Sequence, residues 1–168
     1  MGPRHAPASA SASPRLALTL VAIACLAAVG FALFAQYQLN MQPCPWCILQ
    51  RVIFLFIALL AAVGALVGGR VVTVLASVLI VASAVGGAAS AWYQHFVAAK
   101  TNSCNLTLAD KIVSSLHLDT ALPAAFEVRA SCADAASNLL GVPFEFWSLA
   151  LFVVLALTGL WCALRGRA

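Results

Sequence analysis

The segment QPCPWCILQRVIFLFIALLAAVGALVGG, residues 42–69, joins two closely spaced cysteines to an apolar run that begins directly after Arg51. A bilayer's hydrocarbon core is about 30 Å thick and a helix rises about 1.5 Å per residue, so roughly 17–25 apolar positions cross it. Residues 52–69 meet that demand. Working outward, so do residues 16–35 and 71–94, which carry no charge, and residues 146–164, entered past Glu145 and closed by Arg165 and Arg167. The whole chain is 64% hydrophobic and 8% charged, against about a quarter charged in soluble domains, which argues against a water-soluble globule. Backbone amides find no partner in hydrocarbon, so each crossing has to be helical.

The expected fold is all-α, a polytopic antiparallel bundle of four transmembrane helices over about 16–35, 48–69, 71–94 and 144–164. Two extracytoplasmic loops occupy about 36–47 and 95–143. Residues 1–15, rich in Ala, Ser and Pro, read as a disordered cytoplasmic tail, and 165–168 as a short cytoplasmic end. Arg4 and Arg15 precede the first span, Arg70 separates the second from the third, and Arg165 and Arg167 follow the fourth. An even number of spans puts all five on one side, the cytoplasmic one by the positive-inside rule. The net charge of +4 is then a topological signal, with no nucleic-acid patch implied. A cleaved signal peptide over 1–35 is the competing reading; its apolar run is longer than an ordinary signal core, and no small-x-small cleavage site follows it.

The Gly69-Arg70 link makes the second and third spans a tight hairpin. Gly64 with Gly68, and Ser83 with Gly87, have the small-xxx-small spacing that lets helices approach closely. In the long loop Thr107 and Asp110 resemble a helix start. Leu108, Ile112 and Leu116 then recur at helical spacing, as in a short amphipathic helix on the outer membrane surface; a loosely ordered loop turn is the equal alternative.

Six cysteines divide by this topology. Cys25 and Cys162 fall inside spans, where a thiol is most simply a small packing residue. Cys44, Cys47, Cys104 and Cys132 all fall in or beside the outer loops, facing the compartment where disulfides persist. Cys44 and Cys47 form a CxxC at the start of a helix, whose dipole and free amides favour a thiolate. Arg51 follows one turn deeper and can lean back toward the sulfur. Alone it could merely snorkel to lipid phosphates. Beside a dithiol, a cation could also stabilise negative charge developing on sulfur or on an electron acceptor. Covalent haem attachment would need His where Ile48 stands, and a structural zinc site would need histidines or a second close pair, which are absent from the sequence around these cysteines. A purely structural Cys104–Cys132 disulfide would contribute roughly 3–4 kcal/mol by closing the loop, but leaves the CxxC unexplained.

QPCPWCILQR (42–51) opening a second span, the two cysteines of the long loop, and LGVPFEFW (140–147) leading into a fourth together resemble the bacterial disulfide-bond formation protein B (DsbB) family across about residues 16–164. The resemblance implies an inner-membrane protein-dithiol:quinone oxidoreductase with periplasmic active cysteines. A reduced DsbA-like, thioredoxin-fold partner would attack a Cys104–Cys132 disulfide, at Cys104. Electrons would pass through a transient Cys44–Cys132 link to the CxxC and on to ubiquinone or menaquinone in the membrane pool, with Cys47 the quinone-facing thiol and Arg51 holding the head group. Many members carry a basic His at the outer end of the third span; here the candidate is His95, nearer to the following cysteine. Trp46, Trp92, Tyr93 and Trp147 are candidate walls of the quinone pocket. A DsbA-type oxidant, at about −120 mV, strongly prefers its reduced form, so only a strong terminal acceptor can reoxidise it. The rivals are an enzyme similar to vitamin K epoxide reductase, whose CxxC falls late in the bundle, and a non-catalytic membrane scaffold stapled by ordinary disulfides.

Overall fold

The computed structural model describes residues 13–100, 108–135 and 137–166. Four helices among them are long and apolar enough to cross a membrane: α1 Pro14–Gln38, α2 Pro45–Val67, α3 Arg70–Phe96 and a last one, Phe144–Arg165. Each starts before the apolar run that announced it, and for α1 and α2 a side-chain cap and a proline outside the run set the first turn. Ser13 caps α1, its Oγ accepting from the Leu16 N–H at 3.3 Å, and Pro14 fills the first helical position, where a missing N–H costs nothing. Pro14 and Arg15, expected in the tail, are therefore helical; residues 1–12 lie outside the described part. Between α2 and α3, Gly68 and Gly69 both have positive φ, 64° and 82°, a conformation other residues adopt at a cost. That pair permits the tight reversal.

After α3 and one turn of 3-10 helix, the described part of the long loop contributes three short helices, α4 Leu108–Ser115, α5 Leu118–Ala121 and α6 Pro123–Phe126. A two-stranded hairpin follows, β1 Asn138–Leu139 against β2 Val142–Pro143, and leads directly into α7, the last span. Of the two readings open for 107–118, a helix or a loop turn, the helix is present as α4, though Thr107 lies outside the described residues. Its apolar side is not simply laid on a surface. Val113 packs with Ile48 and Phe126, and Ala109 joins Cys44, Trp46 and Cys132, so α4 lids the start of α2. Leu108 and Leu116 remain exposed.

One apolar core runs through the bundle: Leu18, Val21 and Cys25 from α1, Phe54 and Ile57 from α2, Ile80 and Ala84 from α3, Phe152, Leu155 and Cys162 from α7. Cys25 and Cys162 are fully buried there, as packing residues would be. The Phe54 and Phe152 rings stack with centroids 4.1 Å apart and planes within 3°. Gly87 of α3 lets Phe152 in, since a Cβ at that position would run into its ring. Gly64 plays the same part between α1 and α3, a Cβ there meeting Leu18 and Ala76. Outward-facing Leu20, Ile23, Leu59, Leu75 and Leu157 give the apolar belt that lipid requires.

Gly87→Val is expected to destabilise the bundle by about 1–3 kcal/mol through overpacking. Gly86→Val, one residue away with nothing within 4 Å of an added Cβ, is expected to be close to neutral. Detergent-solubilised thermal unfolding of the two variants measures the difference.

Candidate active site

The chemistry gathers at the end of the bundle where α2 begins. Pro43 and Pro45 flank Cys44, which adopts the extended backbone of an N-cap, and its Sγ accepts from the Cys47 N–H at 3.4 Å. Side-chain oxygens usually perform this task; here a sulfur does. The cap folds the CxxC back on itself, leaving the Cys44 and Cys47 Sγ atoms 3.0 Å apart.

The long loop brings the third sulfur. The Arg129 and Ala130 N–H groups both donate to the Pro43 carbonyl, at 3.1 and 3.3 Å, pinning the two outer loops together. Two residues further on, Cys132 is buried beside Cys44 and hydrogen-bonds with it. Cys44 therefore stands between Cys132 and Cys47, and none of these three is bridged. Cys104 lies outside the described residues. The helix start alone would favour a Cys44 thiolate, yet its thiol is pushed well above the usual range, first by the hydrogen bonds to Cys132 and Cys47 and then by burial. Cys132, accepting from Cys44, is held below that range. Of the two, Cys44 holds its proton more tightly and Cys132 gives its proton up more readily.

Below the sulfurs, a cavity of about 280 Å³ opens among α1, α2 and α7. Its walls are Ala28, Val29, Ala32, Phe54, Phe144, Trp147 and Leu151, and its polar groups are Cys47, Gln50, Arg51 and Ser148. An apolar chamber with a few convergent polar groups is the usual form of a small-molecule site. The volume suits a single ring whose tail continues into lipid, and guanidinium and amide N–H groups beside a thiol suit a carbonyl-bearing electron acceptor. The residues present fit a quinone head group.

Arg51 is 5% exposed, so it does not snorkel to solvent or headgroups. Nor do its hydrogen bonds go to sulfur as its spacing suggested. Its guanidinium donates to Gln36 Oε1 at 2.8 Å, the Ala125 carbonyl at 2.7 Å and the Ala32 carbonyl at 3.3 Å. It lines the cavity while tying α1 and the loop helix α6 to α2. Tyr37 adds a second tie, its hydroxyl donating to the Ala124 carbonyl at 2.6 Å.

His95, a candidate for the head group, is instead 2.6 Å from Glu145 through Nδ1 and is not among the cavity-lining residues. That part of α3 faces the first turn of α7, whose Glu145 is buried. Of the four interfacial aromatics, Trp147 lines the cavity. Trp46 is buried against Tyr93, ring centroids 4.8 Å apart, and Trp92 is exposed beside Phe96. The sequence reading missed Gln36, Gln50 and Gln94, three buried amides at the outer ends of α1, α2 and α3. Each is a polar side chain in apolar surroundings, a costly placement without a partner, and that was the available signal. Gln50 Nε2 donates to Gln94 Oε1 at 2.7 Å, and Gln94 Nε2 donates to Cys47 Sγ at 3.2 Å.

In the reduced protein, Cys132 is expected to ionise below the ordinary thiol value of about 8.5 and Cys44 above it. In Cys44→Ala, Cys132 is expected to move back up toward that value. Alkylation rates against pH, mapped by mass spectrometry, test both.

The family model for disulfide bond formation protein DsbB matches residues 14–162. Curated relatives agree. A disulfide bond formation protein B 1 of Pseudomonas savastanoi pv. phaseolicola is 38% identical over 151 residues, 89% of either chain. A disulfide bond formation protein B of Pseudomonas syringae pv. tomato is 36% identical over the same length and shares. One of Burkholderia pseudomallei is 34% identical over 154 residues, 91% of either chain. With the match reaching into all four spans, the chain belongs to the DsbB family.

Proposed function

We propose that this disulfide-generating membrane oxidoreductase sits in the bacterial inner membrane with both termini cytoplasmic. It reoxidises a DsbA-like periplasmic partner and passes the electrons to a respiratory quinone, ubiquinone or menaquinone. One observation carries the reading: three sulfurs lead from the outer loop to a lipid-level cavity, Cys132 touching Cys44, Cys44 touching Cys47, and Cys47 forming part of the cavity wall. A scaffold stapled by two separate disulfides has no need of the contact between pairs.

In this reading the partner's thiolate attacks Cys104 in a Cys104–Cys132 disulfide, and Cys132 leaves as a thiolate. The partner's second thiol then attacks its own sulfur in that mixed disulfide, releasing oxidised partner and leaving Cys104 reduced. Cys132 attacks Cys44 in the Cys44–Cys47 disulfide, forming Cys132–Cys44 and expelling Cys47 as a thiolate. Cys104 attacks Cys132, restoring the loop disulfide and freeing Cys44. Thiolate on Cys132 favours the attack, and the pinned loop keeps it within reach. A quinone in the cavity would supply the terminal acceptor of two electrons and two protons, and with its departure as quinol the Cys44–Cys47 disulfide is re-formed. Arg51 and Gln50 would hold its carbonyl end, Phe54, Phe144 and Trp147 its ring, and the apolar walls exclude water from Cys47. His95 would act on the cavity only through Glu145 and α7.

Purified protein mixed with a reduced DsbA-like protein and a short-chain ubiquinone is expected to bleach the quinone absorbance catalytically. Cys47→Ser is expected to abolish quinone reduction, and Cys104→Ser to stop electron uptake from the partner while leaving quinone binding intact; normal turnover by either variant rules the relay out. Arg51→Ala is expected to raise the KM for quinone about tenfold, equivalent to roughly 1.4 kcal/mol of lost binding. An unchanged KM in the same assay would leave Arg51 a strut for the loop alone.

A further inference from the structure

Gln94 belongs to no wall of the cavity, yet it touches the sulfur that faces it. Its Nε2 lies 3.2 Å from Cys47 Sγ and its Oε1 accepts from Gln50 Nε2 at 2.7 Å. Both amides are buried, at 6% and 4% exposure. Cys47 and Gln50 are three apart on α2 and so share a face, with Gln94 of α3 closing the triangle between them. Arg51, committed to Gln36, Ala32 and Ala125, has no hydrogen bond to this sulfur. Among the described side chains, Gln94 supplies the N–H that reaches it.

Building on the thiol relay proposed above, we propose that Gln94 is a catalytic residue that holds the Cys47 thiolate as it leaves the Cys44–Cys47 disulfide, with Gln50 the positioning residue that aims its N–H at the sulfur. When Cys132 attacks Cys44, the electrons of the breaking Cys44–Cys47 bond come to rest on Cys47 Sγ. A preorganised donor aimed at that atom lowers the barrier to this step. A neutral donor also suits the depth, since it adds no charge to the apolar interior. An amide does more than a fixed cation could. If Cys47 is protonated, a half-turn of both amides presents Gln94 Oε1 to the S–H and reverses the Gln94–Gln50 hydrogen bond without losing it. The pair satisfies the sulfur in both of its protonation states.

The test compares full-length Gln94→Met and Gln94→Glu with wild type, using reduced DsbA-like protein and a short-chain ubiquinone. Gln94→Met keeps the length and loses the donor; its kcat is expected to fall roughly 10- to 100-fold, the range for one hydrogen bond to a charged group, with the quinone KM within about twofold. A glutamate at 94 donates only when protonated and repels the thiolate when ionised. The ratio of Gln94→Glu to wild-type kcat is therefore expected to approach one at low pH and to fall as pH rises. The other titratable groups nearby are Cys44, Cys47 and Arg51 on α2, Tyr93 and His95 on α3, Cys132 on the loop and Glu145 on α7, and the ratio to wild type removes their common contribution. A flat ratio, or a loss confined to KM, overturns the role given to Gln94, and should Gln94→Met not fold, the Gln94→Glu ratio decides alone. Wild-type protein that fails to reduce quinone overturns the relay itself, and with it this inference.

Discussion

A guanidinium buried in an apolar bundle has to be satisfied by the protein, and meeting that demand for Arg51 organises the end of the molecule where α2 begins. Its three acceptors come from α1, at Ala32 and Gln36, and from loop helix α6, at Ala125. An unpaired buried charge would cost several kcal/mol, so the loop cannot drift from α2 without leaving the cation short of a partner. With α6 held, Arg129 and Ala130 reach the Pro43 carbonyl, and Cys132 comes to rest against Cys44. The residue that lines the cavity is thus also the one that positions the loop delivering the third sulfur.

The division of labour among the cysteines follows from their surroundings more than from their spacing. Cys44 is fully buried between two other sulfurs, which raises its pKa, whereas Cys132 receives a hydrogen bond that lowers its own. The helix start, which by itself would favour a Cys44 thiolate, is outweighed by two neighbouring sulfurs and the loss of water. On the far side, Cys47 meets an amide pair and a mainly apolar cavity. One end of the three-sulfur row faces the loops and the other faces the lipid-level chamber.

Most of the fold was legible because a bilayer enforces it: uninterrupted apolar runs of helical length admit no other structure. What slipped were the edges, where Ser13, Pro14 and Pro45 extend helices into polar sequence. The CxxC and its loop marked Cys44, Cys47 and Cys132, which the structure brings together, and the cost of burying a cation marked Arg51. Its hydrogen-bond partners were not, because backbone carbonyls of Ala32 and Ala125 leave no mark in a side-chain pattern. The cavity wall from α7 and the placement of His95 against Glu145 also depended on helix rotation, which apolar stretches this uniform do not encode.

In the proposed relay Cys44 is at once a redox atom and the N-cap of a spanning helix, so removing its sulfur is never a purely chemical operation. Alanine there would leave the Cys47 amide without an acceptor and fray the first turn, at about 1 kcal/mol by the ordinary value of a lost cap. That turn carries Cys47. Serine retains an oxygen able to take the same amide, and so silences the electron chemistry while keeping the scaffold that spaces the remaining thiols.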